Sequence, residues 1–167
     1  MKRVLIIRST GFQHLDRILG KLKDKYPQGE ICLLTHRHGK PLAEKYADIS
    51  HVYVYPHTGA FSFLRAPYEP KPELKNRAFD VVIVPVGNVT GAGFLNVFLF
   101  SFRLRAERRL ICNISLEFKP LTRPALTVSL LKGLVFTAIA GVITAIASLL
   151  FLILWIVSSF RDGKSED

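Results

Sequence analysis

Short apolar runs recur along the first 118 residues of the chain. Five of them have apolar side chains at nearly every position, at 4–7, 31–34, 52–55, 81–84 and 110–114. Runs of this length without a polar face are typical of strands that are buried on both faces of a parallel sheet. The pattern therefore predicts a sheet of about five parallel strands.

Segments with helical periodicity lie between these runs. Leu15, Ile18, Leu19 and Leu22 recur at helical spacing before Pro27. A short helix is predicted over 42–46, a proline-rich loop over 56–72 and a very apolar helix over 91–104. Strands that alternate with helices form βαβ units with right-handed crossovers. Residues 1–118 are therefore predicted to form a Rossmann-like α/β half domain.

A long uncharged segment near the end of the chain has a different character. Residues 133–160 contain no charged side chain. As a helix the segment would be about 42 Å long, enough to cross a hydrocarbon core of about 30 Å once. A core helix that is apolar on every face would need a larger protein around it. The sequence thus predicts one transmembrane helix at 133–160, after a basic connector at 119–132 and before a short tail at 161–167.

The charges that flank this segment predict its orientation. Many basic residues precede it, whereas Arg161 and Lys164 follow it together with three acidic residues. No signal peptide begins the sequence, because only four apolar residues separate Arg3 from Arg8. The positive-inside rule then places the α/β domain in the cytoplasm and the tail outside, in the inner membrane of a bacterium.

The overall charge of the chain indicates which classes of partner it is expected to bind. The chain has 23 basic and 13 acidic residues, a net charge of +10. Such an excess suggests anionic lipid headgroups or phosphorylated ligands, unless it serves only to orient the protein. No nucleic-acid partner is expected, since no recognition-helix or RNA-binding signature is present. Cys32 and Cys112 each lie in an apolar run and are predicted to be buried free thiols.

The order of these segments resembles the N-terminal, acceptor-side half of the heptosyltransferases, glycosyltransferase family 9. The matching stretches are 2–8, 26–31, 41–44 leading to 49–52, and 79–88 followed by a helix and 108–111. The resemblance covers residues 1 to 118. It implies a half of a GT-B enzyme, whose complete form has two Rossmann-like domains and builds lipopolysaccharide core.

Two departures from that family stand out. Members carry Gly-Asp at the start of the first helix, and the Asp is taken to be the catalytic base. Here the matching position holds Gln13 and His14, or Gly11 and Phe12 if the alignment is shifted, and neither pair includes a carboxylate. The nucleotide-sugar half is replaced by the apolar segment. The resemblance therefore implies a degenerate, truncated half that is non-catalytic alone.

Polar residues follow several of the predicted strands, where doubly wound sheets bind ligands. An anion-binding pocket is predicted there, with helix N-terminal amides and basic side chains as donors. Its residues are Ser9, Thr10, Gly11, Gln13, His14, Arg37, Lys40, Gly87 and Asn88. The same residues would serve equally as caps and turns.

His14 is a weak candidate for a general base. His36 and His38 lack a third ligand nearby, and Gly11 belongs to no dinucleotide fingerprint, so no metal and no cofactor are expected.

Two further surfaces follow from the pattern. The segment 91–105 has little polar face, so it is either buried by protein on both sides or in contact with lipid. The membrane-interface set is Phe98, Phe102, Arg103, Arg105, Arg108, Arg109, Lys132 and Trp155.

Small residues recur every four positions in the first half of the apolar segment, which predicts helix packing against a partner. These are Thr137, Gly141 and Ala145, with Thr144 and Ser148 in an adjacent row.

The sequence thus indicates a membrane-anchored half domain of glycosyltransferase type in cell-envelope glycoconjugate assembly. Its expected role is to dock an acceptor or to hold a partner, with membrane lipids and another protein subunit as partners. The alternative is a non-enzymatic accessory or scaffold subunit of a larger membrane complex, because fold alone does not decide function.

Overall fold

The computed structural model describes residues 2–63, 74 and 76–162, with side chains in these ranges except at 129, 130, 132–134 and 156–162. Much of the predicted loop 56–72, the Lys132 side chain and the end of the tail lie outside the described residues. The chain divides into two compact units, Met1–Thr122 and Arg123–Asp167.

The first unit is built on one six-stranded sheet. Its strands are β1 (Arg3–Ile7), β2 (Glu30–His36), β3 (His51–Tyr55), β4 (Phe79–Pro85), β5 (Ala106–Cys112) and β6 (Phe118–Pro120). Their order is β3-β2-β1-β4-β5-β6, parallel throughout except for β6, which is antiparallel to β5. This arrangement confirms the predicted Rossmann-like α/β class.

The antiparallel strand β6 adds a sixth strand to the predicted sheet of about five parallel strands, which β1–β5 form. It is only three residues long and contains Lys119 and Pro120, so its sequence has no strand pattern of its own. Its pairing with Leu110–Cys112 of β5 becomes possible because residues 113–117 form a tight turn. Leu116 in that turn has a φ of 61°. An edge strand with a proline is common in sheets, because one side of it needs no partner.

Helix α1 (Phe12–Lys25) covers one face of the sheet. Its buried side chains Leu15, Ile18, Leu19 and Leu22 follow the helical spacing seen in the sequence. They pack in one core with alternate strand residues, among them Val4, Ile6, Ile31, Leu33, Val81 and Ile83. Alternate residues of a strand share a face, so the intervening residues face the opposite side.

Aromatic side chains gather in a second cluster around the ends of β2 and β3. Phe61 lies with its ring centroid 4.7 Å from that of Tyr55 and 5.5 Å from that of Phe100. Phe100 belongs to helix α3 (Leu95–Ser101), which is shorter than the predicted helix 91–104. The four residues before it form a turn, because Gly91 and Gly93 adopt φ values of 78° and 84° that a helix does not allow.

A short turn and helix follow β2. Residues Arg37–Gly39 form a 3₁₀ turn, and helix α2 covers Lys40–Ala43 instead of the predicted 42–46. Pro41 occupies the first turn of α2, where a missing N–H is not needed. The turn brings Gly39 close to the end of β1, and this approach shapes the site described below.

The second unit contains helix α4 (Arg123–Asp162). The predicted connector 119–132 is therefore divided between β6 and the first turns of α4. Within the helix, Val135–Trp155 is a 21-residue segment with a mean hydropathy of 2.5. At about 1.5 Å per residue it matches a hydrocarbon core of about 30 Å, so it could cross a membrane. Its large apolar side chains are exposed, as Phe136 and Phe151 illustrate at 74% and 73%.

Candidate functional site

A cleft of about 500 Å³ opens at the carboxyl ends of the central strands. It lies where β1 is flanked by β2 on one side and by β4 on the other, the point at which doubly wound sheets bind ligands. Four segments line it: residues 8–11 after β1, His36 and His38 after β2, residues 58–61 after β3, and Gly93, Phe94 and Val97 at α3. None of these lining residues is acidic, so the described wall of the cleft has a positive or neutral charge throughout.

Arg8 supplies the fixed positive charge of the cleft. Its Nε donates to Thr35 Oγ1 at 2.7 Å, and Nη1 donates to the Thr10 carbonyl at 3.4 Å. The guanidinium carbon lies 4.6 Å from the ring centroid of Phe12. Partial burial lowers the pKa of Arg8, but an arginine remains charged near neutrality. The guanidinium is therefore a charged group that is held in one place before any ligand arrives.

Gly39 permits this arrangement. A Cβ at this position would lie 2.5 Å from Thr35 Oγ1 and 3.1 Å from Arg8 Nη2. Thr35 is completely buried, so it has little room to move away. Glycine at position 39 thus leaves the space that the Arg8 and Thr35 side chains share.

His36 attaches the loop after β3 to the wall of the cleft. Its Nε2 lies 2.8 Å from the Gly59 carbonyl, and its ring is 4.5 Å from that of Phe61. Burial lowers the pKa of His36. The hydrogen bond to Gly59 opposes this effect, and the neighbouring Arg8 and His38 act in the same direction as burial. Because a carbonyl only accepts, Nε2 carries a proton and donates it to Gly59.

The first turn of α1 also faces this end of the sheet. Gly11 is its N-cap, with no side-chain capping hydrogen bond and no acidic residue in the first turn. The N-terminus of a helix carries a partial positive charge that favours anions. The helix end therefore adds to the charge of Arg8 in the same direction.

Three of the residues predicted for the pocket do line the cleft, namely Ser9, Thr10 and Gly11. The Ser9 hydroxyl donates to the Pro85 carbonyl and so ties the end of β1 to the end of β4. The exposed residues Gln13, Arg37, Lys40 and Gly87 are not among the lining residues. Lys40 instead pairs with Glu44 at 3.3 Å.

His14 and Asn88 have structural contacts. His14 is only 8% exposed, its Nε2 lies 3.1 Å from the Asn113 carbonyl, and it is not among the residues that line the cleft. The Asn88 side chain bonds to the backbone of Gly91 and Ala92 and so closes the turn before α3. Both side chains are used to join loops and helix ends within the fold.

The sequence reasoning left out Arg8 and the apolar wall. Arg8 is the first polar residue after an all-apolar strand, a signal that was visible in the sequence. The wall made by Phe61, Phe94 and Val97 had no such signal, because it comes from a loop and a helix that meet only in the folded chain.

The predicted membrane-interface residues are found in different environments. Phe98 is 7% exposed, and its ring lies against Gly91, so it is a core residue and not a membrane-facing one. Arg109 donates to three carbonyls between the end of α3 and the start of β5, those of Ser101, Leu104 and Ala106, and its guanidinium lies 4.9 Å from the Phe102 ring. Arg103, Arg105, Arg108 and Trp155 are exposed.

The predicted packing residues of α4 are exposed along the apolar segment. They are Thr137, Gly141, Thr144, Ala145 and Ser148. The Thr144 hydroxyl donates to the Ala140 carbonyl of the same helix at 2.9 Å. Such a bond satisfies the hydroxyl within the helix, so Thr144 presents mainly its methyl group to a neighbour.

Metal binding has little support among the described residues, where no three His, Cys, Asp or Glu side chains form a group that could hold an ion. The rings of His36 and His38 are stacked 5.6 Å apart at an interplanar angle of 14°. Cys32 and Cys112 are buried free thiols, as predicted, and burial is the main reason that their pKa values rise to about 12 and about 11.

Comparisons with known proteins give a structural similarity and no sequence match. No family model matches the sequence, and a search of curated proteins gives no match. Among solved structures the chain is similar to an E. coli heptosyltransferase, WaaC with ADP, at a TM-score of 0.43 and 14% identity. The similarity covers 62% of this chain and 34% of that chain, so this chain spans about a third of its length. It concerns the fold, and it assigns neither a family nor an activity to this chain.

Proposed function

We propose that this chain is a membrane-tethered docking subunit that holds an anionic acceptor for a partner enzyme in cell-envelope glycoconjugate assembly. The observation that carries the proposal is the Arg8 guanidinium, fixed in a cleft whose described lining has no acidic residue. The exposed apolar segment of α4 supports the tether. The sequence resemblance to the acceptor-side half of family 9 motivates the choice of acceptor.

The chain acts without catalysing transfer by itself. A sugar-transfer base must reach the acceptor hydroxyl, and carboxylates or histidines usually supply it. The described lining has no carboxylate, His36 already donates to Gly59, and His38 Nε2 is occupied by Arg8 Nη2 at 3.4 Å. His14 is buried against Asn113. The proposed partner supplies the nucleotide-sugar site and the base.

Binding of a phosphorylated glycolipid to the purified full chain, in micelles of an uncharged detergent, tests this function. Arg8→Met should reduce binding at least tenfold, because loss of a charged hydrogen-bond donor costs roughly 1.5–3 kcal/mol. Arg17→Met is the matched control: Arg17 is an exposed arginine of α1 outside the lining, and the two variants lose the same charge. Equal binding by both variants would refute the docking role of the cleft.

Activity of the isolated chain provides a second test. The wild-type chain should transfer no sugar from nucleotide-sugar donors to lipid acceptors. Robust transfer that is lost in His14→Ala would overturn the non-catalytic assignment and make His14 the base.

A scaffold role without any ligand is the second candidate. It is favoured by the structural use of His14 and Asn88, two residues predicted to bind ligand. In that case Arg8→Met would leave glycoconjugate assembly in cells unchanged, whereas Gly141→Leu in α4 would abolish it. The docking function requires that Arg8→Met impair assembly while the chain remains in its complex.

A further inference from the structure

The Arg8 end of the cleft contains a hydrogen bond that depends on the protonation of a histidine. Arg8 Nη2 lies 3.4 Å from His38 Nε2. A guanidinium has donors only, so this contact is a hydrogen bond only while Nε2 of His38 is unprotonated and the ring proton is on Nδ1. Protonation of Nε2 would turn this contact into two N–H groups that face each other.

The groups around His38 oppose its positive charge in the unliganded chain. Arg8 faces it from the end of β1, and His36 is stacked on it from the end of β2. Arg37 and Lys40 precede and follow it on the same turn, with Lys40 paired to Glu44. No acidic side chain faces it from the described lining of the cleft. Among the described lining residues no counter-ion for a charged His38 is in place, and a bound anion would supply one.

Donors for such a ligand are already in place. Three of the five N–H groups of Arg8 have partners among the described residues, on Thr35, Thr10 and His38. Two remain for an oxyanion, and charged pairs of this kind are the stronger hydrogen bonds in proteins. A protonated His38 would offer its Nε2–H to the same oxyanion.

We propose that a phosphate-type oxyanion binds between Arg8 and His38 together with one proton, which His38 Nε2 takes up. The anion replaces His38 as the acceptor for Arg8, and its negative charge offsets the repulsion that opposes protonation of His38 in the free chain. This inference rests on the proposed anion-binding cleft and adds the chemical class of its ligand and a proton linkage.

The linkage has a defined sign. The liganded state binds the proton more tightly than the free state, so the affinity for the anion is highest at low pH, where His38 Nε2 carries its proton. The affinity then decreases as the pH rises, by at most about tenfold per pH unit for one proton. His36 does not produce the same signal, because its pKa is lowered, mainly by burial, and it remains neutral near pH 7.

Sulfate is the probe, because its charge does not change near neutral pH. Calorimetric titration of the full chain in uncharged micelles, at constant ionic strength, gives the affinity between about pH 6 and about pH 8. Two buffers with different ionisation enthalpies give the number of protons taken up. The expected result is an uptake approaching one proton and an affinity that falls at least fivefold across this range.

Variants and ligand sources complete the test. His38→Gln changes an exposed side chain and should make the affinity for sulfate independent of pH. Arg8→Met should abolish sulfate binding. Inorganic phosphate and phosphatidate in the micelles, compared at one pH, distinguish a free phosphate from a lipid headgroup as the source.

The possible outcomes separately test the proton linkage, the oxyanion site and the docking function. Sulfate binding that does not change with pH, or a pH dependence that persists in His38→Gln, overturns the proton linkage and leaves the docking function standing. Glycolipid binding with no binding of sulfate or phosphate overturns the oxyanion site. Failure of every anion to bind at any pH refutes the proposed function itself.

Discussion

Replacement of Gly39 by alanine tests the packing that holds Arg8 in the cleft. The backbone at Gly39 has φ −86° and ψ −13°, which alanine adopts without strain. The added methyl carbon would nevertheless lie 2.5 Å from Thr35 Oγ1, well inside an ordinary contact. Because Thr35 is buried, either its hydroxyl or the whole turn must shift, and the bond from Arg8 Nε is weakened in both cases.

The expected cost follows from three terms. Insertion of a methyl group into a packed region destabilises a protein by about 1–3 kcal/mol. The weakened bond from the charged Arg8 to Thr35 adds about 1 kcal/mol or more. Alanine recovers about 0.4–1 kcal/mol, because it restricts the unfolded chain. Gly39→Ala should therefore lower the free energy of unfolding by about 1–3 kcal/mol, which lowers the melting temperature by about 4 °C or more.

Gly20→Ala is the matched control and should have the opposite sign. Gly20 is exposed within α1, and no atom lies within 4 Å of a Cβ at this position. Alanine in the middle of a helix is favoured over glycine by about 0.5–1 kcal/mol. The same substitution thus stabilises one site and destabilises the other.

The two cysteines provide an assay that reports on the α/β unit and not on the apolar helix. Cys32 and Cys112 are the only cysteines of the chain and both are buried, with raised pKa values that keep them protonated near neutrality. A thiol-reactive fluorescent dye should therefore label the full chain in micelles only as this unit unfolds. A melting temperature for Gly39→Ala equal to or above that of the wild type, with Gly20→Ala raised, would refute the steric argument.

Three other predictions concern different parts of the chain. Arg109→Met removes the donors to three carbonyls between the end of α3 and the start of β5, and it should lower stability in the thiol assay by about 1–3 kcal/mol, whereas Arg108→Met, at an exposed position, should change it by less than about 0.5 kcal/mol. Gly141→Leu should disrupt co-purification of a partner subunit, and Leu152→Ala should not; unchanged co-purification would make α4 a tether only. Reporter fusions should place the N-terminus in the cytoplasm and the C-terminus outside, and the reverse result would refute the charge argument.

The α/β class and the apolar helix were predictable because both depend on local patterns. Each central strand is buried on two faces, so its apolar run is continuous and appears in the sequence, as residues 4–7 illustrate. A membrane-crossing helix is recognised from its length and lack of charge. Two elements were missed or misplaced because apolar patterning does not report turns. Strand β6 depends on pairing with β5 across the turn at 113–117, and α3 starts late because Asn88 and two glycines form a turn.

The site residues also divide into those that the sequence predicted and those that only the folded chain defines. From the sequence alone, polar residues after the strands could be assigned to one edge of a parallel sheet, because the carboxyl ends of parallel strands meet there. That was enough to name Ser9, Thr10 and Gly11. Only the tertiary structure decided that His14 is buried against Asn113 and that Arg8 lies on Thr35 beneath Gly39. Side-chain direction at a strand end depends on the path of neighbouring loops, and Arg8 and Thr35 are 27 residues apart in the chain, so no local pattern encodes their contact.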